Sequence, residues 1–181
     1  MKHLALVVLA IIVFAICFPL ALAQEAIPNN SKPSPSPLEY TLPFPGILPN
    51  HPLYGLKLLR DKLLSNLISN PIRQVEFAIL LADKRLNAGV FLFHQGQKPL
   101  AVKTLLETKD IFKRAQNKIL TVPAETYLEV GNLKEKLQKS LEKHLEVVGE
   151  LKDQADGKEK EQLTQLFTDL NTFYQDFKLR K

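Results

Sequence analysis

Residues 70–96, NPIRQVEFAILLADKRLNAGVFLFHQG, read as one amphipathic helix with marked ends. Asn70 can cap the first free amides, Pro71 suits the first helical turn, and Gly96 suits a left-handed exit. At 100° per residue, Val75, Ile79, Ala82, Leu86, Val90 and Phe93 fall on one arc. Phe77, Leu80, Leu81, Ala88, Phe91 and Leu92 form a second arc on roughly the opposite side. A polar ridge of Glu76, Asp83, Asn87 and His94 runs between them. Two apolar faces must be covered from two sides, so this helix requires at least two partner helices.

Proline punctuation extends the reading in both directions. Pro71, Pro99 and Pro123 each stand where a helix can begin, because proline is tolerated in the first turn and disruptive in the interior. The chain after Pro52 therefore divides into helices over about 53–69, 71–96, 99–120, 123–155 and 158–179. The leucines at 56, 59, 63, 64 and 67 predict a buried face on the first. The third buries Leu100, Val102, Leu105, Leu106, Phe112, Ala115 and Ile119. The fourth carries a stripe of Leu133, Leu137, Leu141, Leu145, Val148 and Leu151, coiled-coil-like against the last helix, where Leu163, Leu166, Leu170 and Phe173 share one face. No sustained alternation of period two occurs. The expected fold is all-α: an up-and-down helical bundle of four long helices plus one shorter N-terminal helix, preceded by a Pro-rich linker.

The N-terminal side has a different character. MKHLALVVLAIIVFAICFPLALA, residues 1–23, combines Lys2, an apolar run, Pro19 and an Ala-x-Ala ending, the pattern of a secretory signal peptide cleaved after Ala23. Its 20 residues from Leu4 to Ala23 would also suffice as a membrane anchor. Residues 24–52 hold 8 prolines. Residues 24–49 are thus a linker, polyproline-like in its first half and, through Leu38, Tyr40, Leu42, Phe44, Ile47 and Leu48, a strap on the helical domain of residues 50–181 in its second. The only cysteine is Cys17, so a cleaved chain has no thiol chemistry and no disulfide.

The net charge of +5 is unevenly spread. Residues 24–122 carry 13 basic and 7 acidic side chains, net +6, and residues 123–181 carry 10 and 12, net −2. The basic half suits an anionic envelope polymer or an envelope protein as partner. An exported chain without interleaved aromatic and basic residues is a poor candidate for nucleic acid, and membrane contact is expected only through the N-terminal segment if it stays uncut.

Sequence motifs for hydrolases, phosphate loops and cysteine metal sites are absent. His144, at the edge of the fourth helix's stripe, is read as a surface or boundary histidine. Asp83 and Asn87, four apart, could share an ion, but Glu76 lies about 10 Å along the axis from Asp83, so the ridge reads as a solvated face. No catalytic residue, metal or cofactor is assigned. Phe77, Phe91, Phe93, Phe112, Phe167, Phe173 and Phe177 leave a second reading open, an apolar cavity for a small ligand.

At PGILPNHPLYGLKLLRDKL, residues 45–63, and AILLADKRLNAGVFLFHQGQKPLAVKTL, residues 78–105, the chain resembles the bacterial family catalogued as domain of unknown function 5667. The matching positions are Leu48, Pro49, Pro52, Leu53, Tyr54, Leu56 and Lys57 in the lead-in, then Ala82, Arg85 and Leu86 on the helix. The resemblance covers about residues 43–120 and implies an extracytoplasmic helical domain, with no activity attached. The expected role is a non-catalytic interaction or scaffold module of the cell envelope.

Overall fold

The computed structural model describes residues 40–122 and 127–179, five helices and, among these residues, no strand. The segment of residues 1–23, the linker up to residue 39 and Pro123 lie outside the described residues. The helices are α1 Tyr54–Leu67, α2 Pro71–His94, α3 Lys98–Ile119, α4 Tyr127–Asp153 and α5 Gly157–Leu179. No described helix is long and apolar enough to cross a membrane.

The ends of α2 form as their residues dictate. The Asn70 side chain accepts a hydrogen bond from the Arg73 amide at 3.1 Å. At the other end Gly96 takes φ +79°, and the Gln97 amide reaches back to the Leu92 carbonyl at 2.9 Å, satisfying a carbonyl that the helix leaves free. Gly157 at φ +53° makes the corresponding break between α4 and α5.

α2 packs most extensively on α3, and also on α4; α5 packs on both α3 and α4. The first arc of α2 lies in the core: Val75, Ile79, Ala82 and Leu86 are fully buried, with Phe93 almost so. The second arc is covered unevenly. Ala88 and Leu92 are buried, whereas Leu80 and Phe91 stay exposed where no helix crosses them. Phe112, Leu105, Leu137, Leu141, Leu163, Leu166 and Leu170 complete the interior.

Gly89 of α2 sits directly against the Leu105 side chain of α3. A Cβ there would lie 2.6 Å from Cγ of Leu105, well inside contact distance. Gly89→Ala gains about 1 kcal/mol of helix propensity but forces Leu105 to move, at about 1–3 kcal/mol. A net loss of about 1 kcal/mol is expected in urea unfolding. Gly131→Ala, with open space around it, should gain about 0.5–1 kcal/mol in the same experiment.

α1 departs from expectation. Leu56, Leu59, Leu63, Leu64 and Leu67, expected to be buried, are exposed, as is Leu53 before them, and the helix touches α2 only lightly. Its inward side is instead polar, carrying the buried Asp61 and half-buried Tyr54 and Lys57. Lys57 explains the choice of face: its ammonium donates to the carbonyls of Pro45 at 2.9 Å and Ile47 at 3.0 Å, satisfying backbone groups that a loop leaves free. Tyr54 lies beneath the same ammonium, 5.3 Å from ring centre to nitrogen.

Candidate functional site

Half of the polar ridge of α2, Asp83 and Asn87, is not a solvated face. Asp83, in the middle of a helix and only 3 % exposed, sits between α4 and the extended segment that precedes α1. Its Oδ1 accepts a hydrogen bond from Ser140 Oγ at 2.6 Å, and its Oδ2 accepts one from Tyr40 Oη at 2.6 Å. One turn on, Asn87 Nδ2 donates to the Pro43 carbonyl at 2.9 Å. Residues 83 and 87 therefore fasten the segment 40–45 to α2, and Leu42 packs against the core beside them. Phe44 and Ile47, expected to press inward with Leu42, are exposed.

His144 completes the cluster from α4. It is fully buried, not a boundary residue, and its ring stands edge-on to Phe112 with centroids 4.6 Å apart. Nδ1 lies 2.8 Å from the Ser140 carbonyl, four residues earlier on the same helix. A carbonyl only accepts, so Nδ1 carries the proton and Nε2 presents a lone pair. That Nε2 has no hydrogen-bond partner among the described residues.

Serine, histidine and aspartate together invite comparison with a nucleophilic triad, and the geometry argues against one. Ser140 Oγ gives its proton directly to Asp83, while His144 Nδ1 binds a backbone carbonyl and stands 3.8 Å from the Asp83 carboxylate. No imidazole nitrogen bonds the hydroxyl, and all three side chains are closed off from solvent. The cluster can hold Tyr40, α2 and α4 in register.

Burial sets the protonation states. His144 is pushed below the ordinary histidine range by desolvation, against an opposing pull from the Asp83 charge and the backbone carbonyls of Ser140 and Ala82. The Tyr40 phenol is pushed far up, first by burial and then by its hydrogen bond to Asp83. The consequence for stability has a definite sign. Below about pH 6.5 the unfolded chain binds a proton at residue 144 that the folded chain refuses, so stability is lost as pH falls. The slope should approach about 1.4 kcal/mol per pH unit about a pH unit below that value. Urea midpoints for wild type and His144→Gln between pH 7.5 and 5 should converge on acidification, since the variant lacks this loss.

The remaining ridge residues go elsewhere. Glu76 pairs with Arg73 on the surface at 3.1 Å, and His94 is exposed at the end of α2. Arg85 bonds Glu107 across to α3 at 2.8 Å, while Ala82 and Leu86 are core. Among the lead-in residues, Pro49 is half-buried, and Pro52, Leu53 and Leu56 are exposed. Among the described residues no group of three or more histidine, cysteine, aspartate or glutamate side chains is gathered closely enough for a metal ion.

The seven phenylalanines do not converge on one chamber. Phe173 and Phe177 line an open depression of about 200 Å³ with Lys113, Lys134 and Asp176, while Phe112 is packed in the core and Phe91 is exposed. A larger groove of about 470 Å³, between the end of α1 and the α2–α3 pair, is bordered by Asn66, Gln74, Arg114 and Lys118.

The sequence of residues 46–172, well over half the chain, matches the family described as Domain of unknown function (DUF5667). The chain belongs to this family. The DUF5667 match runs from Gly46 through α4 and most of α5, past the limit near residue 120 that the motif resemblance suggests. Asp83, Ser140 and His144 all lie inside the DUF5667 region, and Tyr40 lies before it. No curated protein and no solved structure matches the chain.

Proposed function

We propose that this chain is an exported, non-catalytic interaction or scaffold module of the bacterial cell envelope. In this reading residues 1–23 export or anchor it, the Pro-rich stretch acts as a spacer, and residues 50–181 form the working domain. Its four longer helices make an up-and-down bundle. In support, α2 and α5 each touch α3 and α4, and three-residue connections, Gln95–Gln97 and Gln154–Asp156, join two of the helix pairs.

The observation that carries the reading is α1. A helix that seals its polar side against the protein and turns its leucines outward leaves an apolar patch that soluble monomers avoid unless it has a partner. The buried, closed cluster at Asp83 makes the bundle a rigid platform for that helix. Cell fractionation of a C-terminally tagged full chain, combined with photo-cross-linking from position 59, tests the reading. Recovery in the envelope fraction with discrete adducts is expected. A cytosolic chain, or an envelope chain that forms no adduct to protein, polymer or lipid, would overturn it.

A further inference from the structure

We infer that α1 is a membrane-surface helix that lays its leucine face on an anionic bilayer. This rests on the reading of the chain as an envelope interaction module and names the partner of α1. At 100° per residue Leu56, Leu59, Leu63 and Leu67 fall within an arc of about 80°, directly opposite the side that carries Tyr54, Leu58 and Asp61. Leu53 lies at its margin, and these five leucines are 53–75 % exposed.

The charges around the arc select the occupant. Arg60 and Lys62 flank it on its two sides and are both exposed. The only acid of the helix, Asp61, is turned inward, buried, and bonded to Arg60 at 2.7 Å. The outward surface of α1 thus combines an apolar stripe with two basic margins, Arg60 shared with the inward Asp61 and Lys62 without an ion pair among the described residues, and no outward acid. Basic side chains beside an apolar stripe let the leucines enter the acyl boundary while the ammonium and guanidinium groups meet lipid phosphates. A 14-residue helix is about 21 Å long, so it lies along the surface and does not span it. The turn ahead of α1, tied to it through Lys57, adds the exposed Phe44 and Ile47.

A second copy of the chain fits this face less well. Two copies facing each other here would bring their Arg60 and Lys62 side chains together with no exposed acid of the helix between them.

The test uses the full chain with Cys17→Ser and an environment-sensitive fluorophore on the cysteine introduced by Leu63→Cys. The probe reports α1 locally, whatever residues 1–23 do. With vesicles of phosphatidylglycerol and phosphatidylcholine a blue shift and intensity gain are expected, weaker with phosphatidylcholine alone and reversed by salt. Lys62→Glu should lower the apparent partition constant about tenfold or more. Leu56→Ser with Leu59→Ser should abolish the response with the helical circular dichroism unchanged, since neither side chain is part of the core. Equal responses to neutral and anionic vesicles would overturn the inference, as would a shift that depends only on protein concentration. A shift produced only by extracted envelope protein would overturn it while leaving the module reading intact. Silence towards vesicles and envelope protein alike would remove both.

Discussion

Asp83→Ala should lower the unfolding free energy by about 2–4 kcal/mol and loosen the segment before α1. The carboxylate accepts two short hydrogen bonds from hydroxyl groups, each worth about 1.5–3 kcal/mol when one partner is charged. Its removal also relieves the cost of burying a charge, so the net falls below the sum. Ser140 can turn its hydroxyl to a carbonyl of its own helix. Tyr40 loses its charged acceptor and is left with the Ser140 hydroxyl as a weaker neighbour. Tyr40→Phe alone should cost about 1 kcal/mol, and nothing further once Asp83 is alanine, giving a coupling of about 1 kcal/mol or more in a double-mutant cycle. Two independent, additive losses would show that the hydrogen bond does not hold the segment.

Phe112→Ala should cost more, about 3–5 kcal/mol, because the ring is fully buried and its removal leaves a void among helices that cannot collapse onto it. Its second effect identifies the site. The ring stands edge-on to His144, so the void would admit water beside the unpartnered Nε2. The variant should then lose much of the acid sensitivity attributed to residue 144. Phe112→Leu keeps most of the volume and should cost about 1–2 kcal/mol with the acid sensitivity retained. Urea midpoints at pH 7.5 and 5.5 separate the cases.

The borders of α2 were legible because they rest on local chemistry. Asn70, Pro71 and Gly96 act through backbone groups within a few residues, and all three behave as their types require. Facing was less legible. The leucines of α1 show that one side is apolar, but periodicity says nothing about whether that side turns in or out. The direction follows Lys57, whose acceptors are the Pro45 and Ile47 carbonyls of the preceding turn, with Asp61 buried on the same side of the helix.

The cluster was half legible for a related reason. Asp83 and Asn87 stand out in the sequence as polar positions between two apolar arcs, a pattern that solvation alone satisfies. Their partners, Tyr40, Pro43 and Ser140, are more than 40 residues away in sequence. A signal for Ser140 and His144 was present. The positions 133, 137, 140, 144, 147 and 151 alternate by four and three, the seam of a helix packed on neighbours, and all six are buried. Following only the leucines hides the two polar members of that seam and puts Leu145, which is half-exposed, in their place.

The order of attachments along residues 40–47 has a mechanical consequence. A tension drawn from the N-terminal side reaches the Tyr40–Asp83 bond first, then the Asn87 hold on Pro43, and last the Lys57 grip on Pro45 and Ile47. Fastenings met one at a time peel at low force, unlike fastenings sheared together. Such a pull would strip the ribbon and bare the Asp83 carboxylate before it strained a single turn of the bundle.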